Sequence, residues 1–357
     1  MDAFFASPEP HLCRNLRDAC LRRTPTIVQS SPGLDPIVDF ARSCVRGLYA
    51  DPRTLESRFL YDAQGSALFE EITRQPEYYL TRTEAAILAA HAAEIRELTG
   101  PTRILELGSG SSLKTDHLLK AWLERGGPTR YYPVDVSSAA LSAACAGIRS
   151  RFPAVEMVGI QCQYREVFPL LAQLSPVLVA FLGSSIGNFA PPEMLAFVRT
   201  LAAALRPGDF FLLGVDLVKE RSILEAAYND QAGVTARFTR NLFVRMNREL
   251  DAGIDLDAIE HAAWYRQDQE LVEISARFTR EQSFRLTPPG RVITMGQGDL
   301  VRTEISRKFR MERVIPELEG CGFAAERVFT DSQRWFALLL LRRRPLYSPR
   351  RAGKRPL

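Results

Sequence analysis

From residue 103 onward the chain alternates short apolar runs with amphipathic stretches. The runs cover residues 103–107, 131–136, 155–164, 176–183 and 209–217, with helices predicted from about Leu113, from Ser137 and over 192–205. Two of the runs, VLVAFLG and FFLLGVD, are apolar almost throughout. That is the signature of strands covered on both faces, because a half-exposed strand would alternate. The helix at 192–205 opens on Pro191-Pro192-Glu193 and stops at Pro207-Gly208, the expected start and stop residues. A doubly wound, parallel α/β sheet is therefore predicted between about residues 100 and 218.

Beyond that point the period changes. Residues 219–250 read as helices, whereas Leu271–Leu286 alternates, with Ile274, Ala276 and Phe278 on one side and Glu273, Ser275 and Arg277 on the other. A second alternating segment, Asp299–Phe309, follows a turn-rich stretch with Pro288, Pro289, Gly290, Gly296 and Gly298. Half-exposed antiparallel strands are implied. A helix over 311–320 and strand runs at 325–329 and 335–341 would then complete the parallel sheet with an antiparallel edge hairpin, leaving the middle block as an insertion. Residues 36–96 are mostly helical by pattern, broken by a turn at Tyr61-Asp-Ala-Gln-Gly65.

Composition adds exclusions. With 46% hydrophobic and 25% charged residues, the 357-residue chain resembles a soluble globular protein, and its longest apolar runs are too short to span a membrane. The first thirty residues lack the apolar core of a secretory signal, so a cytoplasmic location is expected. The net charge of +4 is misleading, since the seven basic residues beyond Leu341 exceed it and leave the body mildly acidic. No basic stretch with interleaved aromatics accompanies that tail, so nucleic acid is not an expected partner. Six cysteines without a CxxC pair and four histidines without ligand spacing indicate neither a disulfide framework nor a metal.

The chemistry concentrates at Ile104–Thr115, ILELGSGSSLKT. As a phosphate loop, Gly108 to Thr115 fits GxxxxGK[ST] except that Leu113 replaces the second glycine, and Phe210–Asp216 resembles the partner strand of such loops. As a dinucleotide fingerprint the same loop lacks its third glycine, again at Leu113. S-adenosylmethionine asks less of the loop: two glycines for the turn, and an acid at the end of the second strand for the ribose hydroxyls. Asp135 stands there, and Glu106 lies two residues before the loop. Gly183 and Asn188, in FLGSSIGN after the fourth strand, fall where open α/β sheets bind ligands, and Glu304 and Ser306 lie two apart on one face of an alternating strand, where they could grip a ring bearing N–H groups. Tyr61, Tyr78 and Tyr228 lie near turns and helix ends. Taken singly, each of these also fits an ordinary packing or solvated role.

The runs FLYDAQGSALFEEITRQPEYYLTRTEAAIL (59–88), LELGSGSSLKT, FLGSSIGN, LLGVDLVK, AYNDQAGVTARFTRN, NREL, IDLDAIEH and TEISRKF, spread over residues 36–343, resemble the histidine N-alpha-methyltransferases of the ergothioneine pathway. That resemblance implies a seven-stranded class I methyltransferase sheet, a second α+β substrate domain, S-adenosylmethionine as methyl donor and L-histidine as substrate, with no metal. It implies cofactor contacts from Gly108, Lys114, Asp135, Gln163 and Tyr164. It also implies substrate contacts from Tyr78, Gly183, Asn188, Tyr228, Ile274, Glu304 and Ser306, with Tyr61 and Asn188 at the reacting amine. Gln163-Tyr164 stands where relatives often carry Asp-Phe, and Ile274 where a Met can line the imidazole pocket. The expected organisation is an extension (1–35), a substrate domain (36–82 and 219–308), a cofactor domain (83–218 and 309–343) and a basic tail (344–357), acting as a monomer.

Overall fold

The computed structural model describes residues 26–29 and 35–345. The predicted runs become β2 (Arg103–Leu107), β3 (Arg130–Asp135), β4 (Glu156–Gln161), β5 (Val177–Phe181) and β6 (Phe210–Asp216), all parallel. The late pair β12 (Phe323–Thr330) and β13 (Phe336–Arg343) closes the sheet antiparallel, with β13 hydrogen-bonded along β6. The seven-stranded order is β4-β3-β2-β5-β6-β13-β12, and β1 (Thr26–Gln29) adds an eighth strand alongside β4. Part of the expected N-terminal extension thus belongs to the sheet; the remainder of residues 1–35 lies mostly outside the described residues, as does the tail beyond 345. Arg343, expected next to a solvated tail, is 7% exposed in β13 and donates to the Ala202 and Gly322 carbonyls.

Alternation along the buried strands divides the core in two. Ile104, Leu178, Leu212 and Leu338 belong to one apolar cluster, while their chain neighbours Leu105, Val179, Leu213 and Leu339 belong to the other. α1 (Pro36–Leu48) packs through Phe40 against Arg245 of the inserted block, whereas the first face of the sheet is covered by α3 (Tyr79–Thr99) and α4 (Asp116–Glu124) and the second by α6 (Tyr164–Leu174), α7 (Pro191–Ala204) and α10 (Met311–Gly320). Between β3 and β4 runs α5 (Ser138–Arg151).

The inserted block supplies α8 (Arg221–Ala226), α9 (Val234–Leu250), a three-stranded antiparallel sheet and a hairpin. The sheet has the order β11 (Leu300–Arg307), β8 (Leu271–Phe278), β7 (Ile259–Arg266), and the hairpin pairs β9 (Gln282–Leu286) with β10 (Arg291–Met295). Two bridges tie the block down. Thr54 pairs with Arg302, and Leu217 with Phe309, where Phe309 N donates to the Asp216 carbonyl at 2.8 Å. The expected domain border at 82/83 falls inside the first turn of α3.

The turn expected at Tyr61–Gly65 is in part helical. Asp62 caps α2 (Ala63–Ile72) by accepting from Gly65 N at 2.7 Å, and a Cβ on Gly65 would sit 1.7 Å from the Leu60 carbonyl oxygen. A side chain there is excluded by backbone contact, which pins Tyr61 at the helix entrance.

Candidate active site

Each parallel strand delivers its last residues to the same edge of the sheet, and the chain switches direction at β2, between β3 and β5. The loop after β2 turns sharply: Gly108, Gly110 and Ser112 all have positive φ, and Gly108 N and Ser109 N donate back to the Val134 carbonyl. Asp135, at the end of β3, accepts from Gly110 N at 3.0 Å and Ser137 N at 2.9 Å. Each carboxylate oxygen keeps a second acceptor site. Burial raises the Asp135 pKa, and the backbone donors oppose that rise. A Cβ on Gly108 would lie 2.7 Å from the Tyr164 phenol oxygen, so the bare backbone lets that ring close over the loop.

These groups line a cavity of about 560 Å³ that also takes in Gln163, Ser66, Ala139, Ala140 and Ala143. Its lining combines glycine backbone, small aliphatic residues and five aromatic rings, Tyr61, Phe69, Tyr164, Phe189 and Phe197, and sets three carboxylates, Glu70, Asp135 and Glu166, against two guanidinium side chains, Arg58 and Arg165, so no excess of cations awaits a phosphate. It suits a nucleoside with a ribose diol and no phosphate, and S-adenosylmethionine fits that donor set: the Asp135 carboxylate for hydroxyls, the Gln163 amide and the Tyr164 ring for a base.

A smaller cavity of about 50 Å³ adjoins it, lined among others by Tyr61, Tyr78, Gly183, Asn188, Tyr228, Glu304 and Ser306. Tyr61, Phe69, Ser185 and Asn188 line both cavities, so the two are continuous. Asn188 lies in the short 3-10 turn after β5, and its amide donates to Glu304 Oε1 at 2.9 Å. Desolvation raises the Glu304 pKa to about 7, against the opposing effects of Asn188 and the Lys308 charge. Glu304 and Ser306 reach the cavity from one face of β11, beyond a bulge between Arg302 and Glu304. The Tyr228 phenol donates to Ser306 Oγ at 2.7 Å, and burial raises the pKa of Tyr61, Tyr78 and Tyr228 well above that of a free phenol. All three remain neutral hydrogen-bonding groups at physiological pH.

Two of the expected site residues stand elsewhere. The Lys114 ammonium pairs with the buried Glu84 carboxylate of α3 and does not line the larger cavity. Ile274 is the register partner of Glu304 and leaves β8 on the same face, but it is 2% exposed, lies in the core cluster and does not line the small cavity. The phosphate-loop alternative fails on the same geometry. Leu113 is 53% exposed, Lys114 is held by Glu84, and Thr115 Oγ1 donates to Glu106 at 2.7 Å. Asp216, the acid of the supposed partner strand, is occupied by Tyr79, Lys219 and Lys308.

Sequence reasoning missed Glu84 and Lys308. Glu84 is wholly buried; both its oxygens lie within 2.9 Å of Gly183 N, and it reaches Lys114, so one α3 side chain ties the loop after β5 to the loop after β2. The signal lay in Gly214 of β6, where a Cβ would stand 2.1 Å from Glu84 Oε1. An apolar strand carries glycine there to admit the carboxylate.

Residues 40–343 match the family model described as histidine-specific methyltransferase, SAM-dependent. The chain is 42% identical over 307 residues to histidine N-alpha-methyltransferase of Mycolicibacterium smegmatis, covering 86% of this chain and 96% of that protein. It is 39% identical to the protein of the same name from Mycobacterium tuberculosis, over 84% and 93% of the two chains. Ergothioneine biosynthesis protein 1 of Neurospora crassa is 35% identical across 53% of this chain and 22% of its own. Matched over most of its length by the model and by two full-length relatives, the chain belongs to the family of SAM-dependent, histidine-specific methyltransferases.

Proposed function

We propose that the protein transfers three methyl groups in succession to the α-amine of L-histidine, forming hercynine, the first step of ergothioneine biosynthesis. The observation that carries this reading is the Glu304–Asn188 pair at the junction of a nucleoside-sized cavity and a small polar one. S-adenosylmethionine supplies an electrophilic methyl on a sulfonium. Gly108, Asp135, Gln163 and Tyr164 would hold it, with Lys114 reaching it through movement away from Glu84.

Each transfer forms one N–C bond as the donor's S–C bond breaks and leaves a neutral thioether, and the ammonium gives up one proton beforehand, so this chain has to align an uncharged nitrogen rather than generate a strong base. Asn188 directs one of its two amide hydrogens to Glu304, and its carbonyl oxygen accepts from the amine N–H in the first two transfers and so aims the lone pair. Tyr61, neutral and on both cavities, passes the released proton toward water and offers its ring face to the growing cation. Tyr78 and Tyr228 take the carboxylate with Gly183 beside them, Glu304 and Ser306 take the imidazole, and Ile274, the strand neighbour of Glu304, acts on the ring only from the core behind it. A site that bonds a ring N–H discriminates strongly against rings lacking one.

One chain lines both cavities, which is why a monomer is taken as the working unit. A cytoplasmic location agrees with Cys44, Cys145, Cys162 and Cys321 being buried free thiols. Among the described residues no helix is long and apolar enough to cross a membrane. The test is mass spectrometry of purified protein with S-adenosylmethionine and L-histidine, competed against tryptophan and tyrosine. Accumulation of trimethylhistidine is expected; methylation of a competitor instead would overturn the substrate assignment.

A further inference from the structure

The three-stranded sheet of the inserted block ends at β7, which has no strand beyond it among the described residues. Its outward polar groups are met instead by the end of α8 and the residues that follow. Glu225 accepts from Tyr265 N at 2.9 Å, the Asn229 amide donates to the Ala263 carbonyl at 3.0 Å, and His261 Nε2 lies 2.8 Å from the Tyr228 carbonyl. Residues 261, 263 and 265 are alternate positions, so one edge of β7 clamps the connection that carries Tyr228.

Hydrogen counting fixes the roles at the last of these contacts. A carbonyl oxygen only accepts, so the hydrogen lies on His261 Nε2. Burial lowers the His261 pKa, against the Tyr228 carbonyl and the Asp230 charge, which keeps the ring neutral at physiological pH. A neutral imidazole carries one N–H. Nδ1 is therefore bare, and the buried Thr239 hydroxyl of α9, 2.9 Å away, donates to it. In this single tautomer the ring spans from α9 to the Tyr228 backbone.

Tyr228 lines the small cavity, and its phenol is held at the tip by Ser306 at 2.7 Å and Lys308 at 2.8 Å. A side chain held only at its tip can pivot there, and a second hold on its backbone removes that freedom. We propose that His261 is a positioning residue: its Nε2–H fixes the Tyr228 backbone and thereby sets where the phenol stands in the small cavity. The inference rests on the proposed function, in which Tyr228 meets the substrate, and goes one layer behind that contact. Tyr228 would touch the substrate away from the reacting nitrogen, equally before and during transfer, so a misplaced phenol raises KM and spares kcat.

The experiment reads L-histidine affinity by calorimetry on protein saturated with S-adenosylhomocysteine, and kcat and KM by methyl transfer. It compares wild type, His261→Asn, His261→Gln, Tyr228→Phe and the pair His261→Asn with Tyr228→Phe. A Gln amide nitrogen reaches the place of Nε2, whereas that of Asn stops near Nδ1 and leaves the Tyr228 carbonyl without its donor. Losing that bond should weaken histidine binding about 5- to 20-fold in His261→Asn and raise KM in step, with kcat and S-adenosylhomocysteine affinity within about threefold. His261→Gln should return to within about threefold of wild type. On the Tyr228→Phe background, His261→Asn should cost less than about threefold more, because both act through one phenol. Losses that simply add, a His261→Gln protein as weak as His261→Asn, or equal loss of both ligands would mark His261 as structural and overturn the proposal. If the variants do not fold, wild type decides: nitrogen NMR of the His261 ring at about pH 8 must show a slowly exchanging hydrogen on Nε2, and a bare Nε2 would overturn it. A wild-type protein that binds S-adenosylhomocysteine and no histidine would refute the substrate reading itself, a separate outcome in which the ring tautomer still tests His261.

Discussion

Replacing Lys114 by Met should destabilise the protein before any ligand is added. Glu84 is 0% exposed, and its only described partners are Gly183 N and the Lys114 ammonium, whose side chain is 22% exposed. Removing one member of a buried ion pair leaves an uncompensated charge, a loss of about 3–5 kcal/mol. Lys114 already reaches some water, so about 3 kcal/mol is expected for Lys114→Met. Glu84→Gln should cost less, about 1 kcal/mol, because the amide oxygen still accepts from Gly183 N and the freed ammonium can turn to solvent. The double variant should then resemble Glu84→Gln alone, with a coupling of about 2–3 kcal/mol between the sites. Urea unfolding of the ligand-free protein, with the slope checked for constancy, supplies all four corners of the cycle. Losses that simply add, or a Lys114→Met loss below about 1 kcal/mol, would refute the idea that this pair pins the site. Calorimetry with S-adenosylmethionine on the same four proteins separates the pin from a direct cofactor contact, since only the latter lowers affinity in proportion to the lost charge.

Other consequences are as direct. Gly65→Ala places a methyl 1.7 Å from the Leu60 carbonyl oxygen, so the backbone must move; a loss of at least about 2 kcal/mol in urea and a raised histidine KM are expected, and an unchanged midpoint would contradict the packing. Glu304→Ala should lower kcat/KM for histidine by about 10- to 100-fold while S-adenosylhomocysteine affinity stays within about threefold, and parallel losses would remove Glu304 from ring recognition. Glu106, 2% exposed, has its pKa raised to about 7 from 4.5 by burial, so the folded state holds a proton there that the unfolded chain has released. Its contribution is full below pH 4.5 and lost as the pH climbs through 7, up to about 3 kcal/mol. The stability of wild type relative to Glu106→Gln should therefore decline between pH 5 and 8, and a flat difference would reject the raised value.

The parallel strands were legible because burial on both faces writes itself as an unbroken apolar run, as in VLVAFLG. β7 was not, since Ile259–Arg266 shows no clean alternation: six of its eight positions are partly or fully exposed. β1 is too short to carry a period, and β10 sits in a segment whose prolines and glycines read as turns. The site residues became legible through family resemblance rather than through spacing. Asp135 alone followed from the order of strands, because any sheet of this kind brings the end of its second parallel strand beside the glycine turn. Glu84 and Lys308 had no such mark. A charged residue paired 30 positions away inside the core looks, in one dimension, like one on the surface, and only the glycine opposite betrays the difference.

Those unmarked charges explain how a methyl-transfer site can be built with so little apparatus. The loop from Leu182 to Phe189 carries Asn188, which lines both cavities, and it is held at three points by residues that line neither. Gly183 N is bound by Glu84, Ser184 Oγ accepts from Asp216 N at 2.9 Å, and Gly187 packs so closely that a Cβ would stand 2.9 Å from the Arg307 carbonyl oxygen. The three anchors come from α3, β6 and β11, that is, from both the cofactor sheet and the inserted block. Displacement at a sulfonium carbon depends on alignment, and a misplacement of about 1 Å can cost a hundredfold in rate. In the proposed site, fixing the loop from two sides would set the distance between amine and methyl donor by backbone contacts and buried charges. Loop residues that line the small cavity are thereby free to be small or neutral, as Gly183 and Asn188 are.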